Sequence, residues 1–180
     1  MVLTYKDCIK KYGSDYYLKK NIENGELFQL EKGLYSDKKF VSEKERISVK
    51  YPNAVFYGDS AYYYHGLTDV IPDDYFVATR REDTRIKEGN IHQSFIKDEL
   101  FNLGITEIES NGIKIKVYDL ERMLIELIRF RAKLPFDYYK EIIGNYRRRI
   151  YELDFSKLEN YASHFKKRES IMKAIELEVL

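Results

Sequence analysis

The dipeptide Asn111-Gly112 is the tightest constraint that the sequence places on its own fold. Both residues tolerate positive φ, which a two-residue type I′ turn needs at each position, so the runs on either side must return antiparallel. Pairing outward from the turn sets Glu109 opposite Lys114, Ile108 opposite Ile115 and Glu107 opposite Lys116. Two ion pairs fall on one face and an apolar pair on the other, so the register is self-consistent. The hairpin spans Ile105 to Val117 and fixes a β component in the chain.

The stretch Asn53 to Thr68 is expected to organise what surrounds that hairpin. Ala54-Val55-Phe56-Tyr57 reads as a buried strand, Gly58-Asp59-Ser60 as a tight turn with a helix N-cap, and Gly66 as the left-handed end of a short helix. Ser60, Tyr63 and Tyr64 would then lie near a sheet edge, where a substrate or partner could meet them, or the three tyrosines Tyr62 to Tyr64 pack the helix onto its sheet with their hydroxyls at the rim. After a turn at Pro72, Tyr75 to Thr79 is a second buried strand, ending in a polar loop that carries Arg80 and Arg81 beside Glu82 and Asp83. Those arginines can hold an anion or be neutralised by the adjacent acids. Ile91, Gln93 and Phe95 alternate as a third strand.

Asp119 caps a helix whose Leu120, Met123, Leu124, Leu127 and Ile128 form an apolar stripe, with Glu121 in its first turn and Arg129, Arg131 and Lys133 toward its end, before Leu134-Pro135 stops it. A further helix turns Tyr139, Ile142, Ile143 and Tyr146 inward. The last is expected to start at the capping box Ser156-x-x-Glu159 and to bury Leu158, Tyr161, Ala162 and Phe165.

At the N-terminus, Tyr5, Cys8, Ile9 and Tyr12 recur at helical spacing until Gly13. Ser14 or Asp15 then caps a second helix with Tyr17, Leu18 and Ile22 inward and Tyr16, Lys19, Lys20 and Glu23 outward, stopped at Asn24-Gly25. Leu27 to Leu30, the turn Glu31-Lys32-Gly33 and Leu34-Tyr35 make a small hairpin directly after it. Two short helices and a hairpin in this order are the parts of a winged helix-turn-helix. Such a module would lay its second helix in the major groove, presenting Tyr16, Tyr17, Lys19, Lys20 and Asn21, while Lys32 at the wing tip reaches phosphate. Residues 1–44 hold nine lysines against seven acids, a small surplus for such a module; the same module can also serve protein contact. Ser36 to Lys50 is charged, with Ser42-x-x-Glu45 fitting a capping box, and the domain junction is placed there.

Composition bounds the remaining readings. With 180 residues, 44% hydrophobic and 34% charged, the chain suits one domain or a small one joined to a medium one. A charge at Lys6 precedes any apolar run that a signal peptide needs, and no stretch approaches the roughly 20 apolar residues of a membrane span. A single cysteine, Cys8, excludes an internal disulfide framework and a cysteine-rich zinc module, so a cytoplasmic location is expected, with Cys8 in the core. His65, His92 and His164 have no metal-ligand spacing, and no phosphate loop or nucleophile motif is present. Neither a metal, a cofactor nor catalysis is expected. An enzymatic alternative is a degenerate nucleotidyltransferase, with Gly58-Asp59-Ser60 as its turn and Asp73-Asp74 as its carboxylates. Adjacent residues of a strand point to opposite faces, however, whereas two carboxylates sharing magnesium need alternate positions. The net charge of +1 makes any nucleic-acid argument a local one. Residues 129–149 hold seven bases and two acids and end in Arg147-Arg148-Arg149, a secondary nucleic-acid or partner patch that can equally be a solvated helix face.

Taken together, Leu18 to Leu27 running into Lys32-Gly33-Leu34-Tyr35, Ser60-Ala61 followed by His65-Gly66-Leu67-Thr68-Asp69, and Val117 to Leu124 resemble the AbiEi-type antitoxins of bacterial type IV toxin-antitoxin, or abortive phage infection, systems. The resemblance covers nearly the whole chain. It implies an N-terminal winged helix that binds inverted repeats in double-stranded DNA of its own promoter, and a C-terminal α/β domain that counteracts a nucleotidyltransferase toxin without a stable complex. One departure is that only three residues precede the helix matching the second of the usual three, so the module looks truncated. The expected fold is α+β: a truncated winged helix-turn-helix over residues 1–46, then a mixed α/β domain over 50–180 with a small sheet and C-terminal helices. A DNA-binding regulator without a toxin partner is the other alternative.

Overall fold

Short strands that pair over long sequence distances set the architecture of this chain. The structure, a computed structural model, describes residues 1–180. It is a mixed α/β protein with nine α-helices and two small sheets. The chain divides into two units, Met1–Asn53 with Asn111–Ile115, and Ala54–Ser110 with Lys116–Leu180.

The first unit begins with a strand that the sequence reading passed over, β1 (Val2–Thr4). Thr4 ends it and caps α1 (Tyr5–Tyr12) in a reciprocal capping box with Asp7. Gly13, at φ +89°, turns the chain, and Ser14 caps α2 (Asp15–Glu23) by accepting the Tyr17 N–H. Then β2 (Phe28–Glu31) and β3 (Leu34–Ser36) form the expected hairpin, and β1 pairs antiparallel with β3, giving the order β1-β3-β2. Leu3, Cys8, Leu18, Leu27 and Tyr35 make the core, so Cys8 is the small buried residue that its spacing suggested. Burial pushes its thiol pKa up, which keeps it protonated. Residues 43–50, where the sequence reading placed the domain junction, instead form α3 (Glu43–Lys50), capped by Ser42, and the first unit runs on to Asn53. The Val2 N–H donates to Glu45 at 3.0 Å and Ile47 is buried, so this helix belongs to the first unit.

In the second unit β4 (Val55–Phe56) leads into α4 (Gly58–Tyr64). The helix starts three residues earlier than a Ser60 cap implies, because Gly58 at φ +56° takes up the turn; Ser60 therefore lies inside α4 and is no cap. Its buried hydroxyl accepts the Phe76 N–H at 2.9 Å and so ties the helix to β5 (Tyr75–Arg80). Tyr62 is buried and donates to the Met123 carbonyl at 3.4 Å, while Tyr63 and Tyr64 are half-buried. The second sheet runs β6-β5-β4-β8-β7, with β6 (Ile91–Ile96), β7 (Ile105–Ser110) and β8 (Ile113–Tyr118). β4 lies antiparallel to β5 and parallel to β8, and β5 parallel to β6. Asn111 and Gly112 have φ +54° and +76°, as a type I′ turn requires.

A single turn of helix, α5 (Asp98–Phe101), follows β6. The central helix, α6 (Leu120–Phe130), is capped by Asp119 as expected, but its burial is not a stripe: every residue from Glu121 to Ile128 is buried. Three helices follow it, α7 (Phe136–Arg148), α8 (Phe155–Ser163) and α9 (Arg168–Glu178). α8 and α9 pack against α6 and against each other. Tyr139, Ile142, Ile143 and Tyr146 of α7 are buried as their spacing predicts. The cap of α8 is Asp154, which accepts the Ser156 and Lys157 N–H groups, so the helix starts ahead of the expected capping box; α9 was not foreseen. No helix is long and apolar enough to cross a membrane.

Candidate nucleic-acid interface

α2 is the element on which most of the sequence-predicted contact residues sit. Leu18 is its one fully buried residue, with Ile22 half-buried, and this narrow apolar stripe leaves most of the helix surface facing water. Tyr16 is 68% exposed and Tyr17 54% exposed. The exposure of Tyr17 corrects the inward placement inferred from its spacing: a neighbour of Leu18 in sequence lies about 100° round the helix from it, and the stripe is too narrow to cover that flank. The two rings meet edge to face at 5.3 Å, a pre-arranged aromatic pair on an open surface.

Lys19 and Lys20 lie on the same exposed side. Lys19 is paired with Asp15 one turn earlier at 2.9 Å, which holds its ammonium pKa above the ordinary value. Such an exposed pair is weak and screened by salt, so a phosphate can take Asp15's place. Asn21 is half-buried and its amide donates to the Tyr17 carbonyl at 2.7 Å, while its own carbonyl accepts the Glu26 and Leu27 N–H groups. It acts first as a fastening for the end of α2.

Lys32 is exposed in the two-residue turn between β2 and β3, where Gly33 sits at φ +85° and its carbonyl accepts the Tyr5 N–H at 2.8 Å. The acid next to it does not cancel its charge. Glu31 is engaged by Arg46 at 2.8 Å and by Lys50. Burial alone would raise the Glu31 carboxyl pKa, but Lys50 and Arg46 together hold it below the ordinary value.

The secondary patch closes the C-terminal end of α7 and is knit into its surroundings. Arg147 Nε donates to the Glu178 carbonyl at 2.6 Å, and Arg148 is bonded to Asn145. Arg149 donates to both Glu152 carboxylate oxygens at 2.8 and 2.7 Å and to the His65 carbonyl at 2.5 Å. His65 Nε2–H in turn donates to the Tyr118 carbonyl at 2.7 Å, and burial keeps its pKa below the ordinary value, which favours the neutral ring. Arg147 and Arg148 remain largely exposed, whereas Arg149 is half-buried and serves as a bracket between α4 and the segment after α7.

The carboxylates of the enzymatic alternative are not set on alternate positions of a strand. Asp73 and Asp74 precede β5; Asp73 is exposed, and Asp74 accepts from His92 Nε2 at 2.7 Å. Arg80, at the end of β5, is engaged by Asn102 at 2.8 Å and by Asp98 at 3.5 Å and lies over the Phe101 ring. No three His, Cys, Asp or Glu side chains gather in a metal-holding group. Sequence reading did not find Arg122 and Glu126 of α6 as a buried pair, with Arg129 exposed beside them. Their three- and four-residue spacing suggests ion pairs on one helix face, but not that the face is covered.

These observations define a class: a mixed α/β protein in two units, the first presenting an open helix with paired tyrosines and lysines. Among solved structures, the fold is similar to a crystal structure of the RV2827C protein from Mycobacterium tuberculosis. The TM-score is 0.62 at 13% sequence identity, covering 93% of this chain and 68% of that one. At that identity the likeness is one of fold alone. No protein-family model and no curated protein matches the sequence.

Proposed function

We propose that this protein is a non-enzymatic antitoxin of a type IV toxin-antitoxin system, that it represses its own operon through the first unit, and that the second unit counteracts a nucleotidyltransferase toxin without a lasting complex. The observation that carries the DNA-binding part is the first unit itself. Strand, helix, helix and hairpin follow one another, the first strand pairs beside the hairpin, and α2 holds Tyr16, Tyr17, Lys19 and Lys20 on its open side. This order supports reading the first unit as a winged helix-turn-helix-like module, with β1 as a third strand of its small sheet. Lys32 at the turn of the hairpin adds a phosphate contact at a distance from the helix, so that two elements rather than one fix the register on a duplex. Arg147 and Arg148 offer a second cationic surface for nucleic acid or an acidic partner.

The antitoxin part is supported by the motifs that resemble the AbiEi-type proteins. It is tested by co-expressing the full chain with a nucleotidyltransferase toxin of this class and following growth. Restored growth is expected, and it should persist in Lys19→Ala/Lys20→Ala, because rescue is assigned to the second unit. Continued arrest with the wild-type chain fully expressed would overturn the antitoxin reading and leave a DNA-binding regulator.

A further inference from the structure

A cavity of about 440 Å³ opens within the second unit between the edge strand β6 and helix α6. Its floor is ionic. Glu126, 2% exposed, accepts Arg122 Nε at 3.1 Å through one oxygen, and Arg129 at 2.5 Å through the other. The Tyr57 hydroxyl donates to that second oxygen at 3.4 Å. Burial, and then the charge of Glu126, push the Tyr57 phenol far above its usual pKa, so it stays a neutral donor. Arg122, fully buried, also donates to the Leu100 and Leu103 carbonyls at 2.6 and 3.1 Å, and its guanidinium lies over the Tyr118 and Phe165 rings.

Both arginines line the cavity, but Arg122 is fully buried and Arg129 is exposed. Arg129 gives a single hydrogen bond to Glu126, and Phe165 fixes its guanidinium plane at 4.3 Å. An arginine carries five N–H donors, so most of its capacity is left for whatever enters. Lys97 adds a second cation at the rim, and Phe95, Leu100 and Phe130 supply apolar walls. Two arginines thus share one carboxylate that already accepts from Tyr57 as well, and Lys97 stands at the rim beside them. The buried Arg122–Glu126 pair contributes little net stability over an apolar filling of the same volume, whereas Arg129 and Lys97, both exposed, keep their charges open to an incoming anion.

We propose that this cavity binds a small anionic ligand with a flat apolar body, a phosphate or carboxylate of about mononucleotide size. The anion docks on Arg129 and Lys97, and the body lies against Phe95, Leu100 and Phe130. The volume falls within the range of small-molecule sites, roughly 300–1,000 Å³.

The test is calorimetric titration of the full chain with the four ribonucleoside monophosphates, 4-hydroxybenzoate, adenosine and inorganic phosphate, repeated on Arg129→Ala and Lys97→Ala. Arg129→Ala leaves Glu126 paired with Arg122, and Lys97 is exposed; circular dichroism confirms that both variants fold. The expected result is saturable binding of at least one mononucleotide or of the aromatic carboxylate, with adenosine and free phosphate each at least tenfold weaker. Either variant should weaken binding about tenfold, the loss of one charge-assisted contact. Which anionic probe saturates decides between phosphate and carboxylate. No saturation by any probe at millimolar concentration overturns the proposal, as does binding of adenosine equal to its monophosphate, or binding unchanged in both variants.

Discussion

Gly104 shows how one residue can hold two functions of the fold at once. It sits at φ +80°, and a Cβ there would lie 2.7 Å from both Arg122 Cβ and the Asp119 carboxylate oxygen. Its carbonyl accepts the Asp119 N–H at 2.7 Å, and Asp119 in turn caps α6 through the Arg122 N–H at 2.9 Å. Gly104→Ala therefore strains the backbone, crowds the cap and displaces the buried arginine together. A loss of about 3 kcal/mol is expected, the order of a left-handed penalty plus a lost N-cap plus overpacking. Gly89→Ala is the control, because its Cβ would meet nothing within 4 Å and its φ is not in the left-handed region. Chemical denaturation should show a large drop for the first and less than about 0.5 kcal/mol for the second. Equal stability of the two variants would contradict the packing described around Arg122.

At the scale of elements, the start of α8 separates a sequence motif from the structure that forms. Ser156-x-x-Glu159 has the spacing of a capping box, yet Asp154 lies two residues earlier and its carboxylate accepts two N–H groups, at 2.9 and 3.2 Å. Asp154→Ala should cost about 1 kcal/mol, while Ser156→Ala should stay within about 0.5 kcal/mol; the reverse order in thermal or denaturant unfolding would restore the capping box. The same contrast decides what was legible in the sequence. The Asn111-Gly112 turn, the Asp119 cap and the apolar face of α7 are local, each written in a few adjacent residues. β1 is three residues whose only claim to be a strand is pairing with β3 more than thirty positions away. α3 carries too few apolar residues for its burial against the first unit to be read from periodicity. The burial of Arg122 and Glu126 depends on Tyr57, Leu100, Leu103 and Phe165, which lie far from them in sequence, closing around them. The candidate interface was legible as a set of residues because exposed Lys and Tyr on a short helix follow from its one-sided pattern. The outward turn of Tyr17 depended on how narrow the packed stripe is, which only the assembled core decides.

For the whole molecule, the net charge of +1 means that the chain as a whole does not attract nucleic acid. The DNA binding proposed for the first unit therefore rests on local arrangement, with Lys19, Lys20 and Lys32 as point charges and the tyrosine pair as a recognition surface, and it should be salt-sensitive with few phosphate contacts. The most direct measurement is anisotropy of the full chain on its own promoter DNA and on a scrambled duplex at two salt concentrations, with Lys19→Ala/Lys20→Ala alongside. The account predicts tighter binding to the promoter, weakening with salt, and in the variant a weaker complex whose logarithmic salt slope is shallower by about two, one for each phosphate contact removed. Equal affinity for promoter and scrambled DNA at low salt, or a variant that binds as the wild type does, would contradict the assignment of α2 as the reading helix.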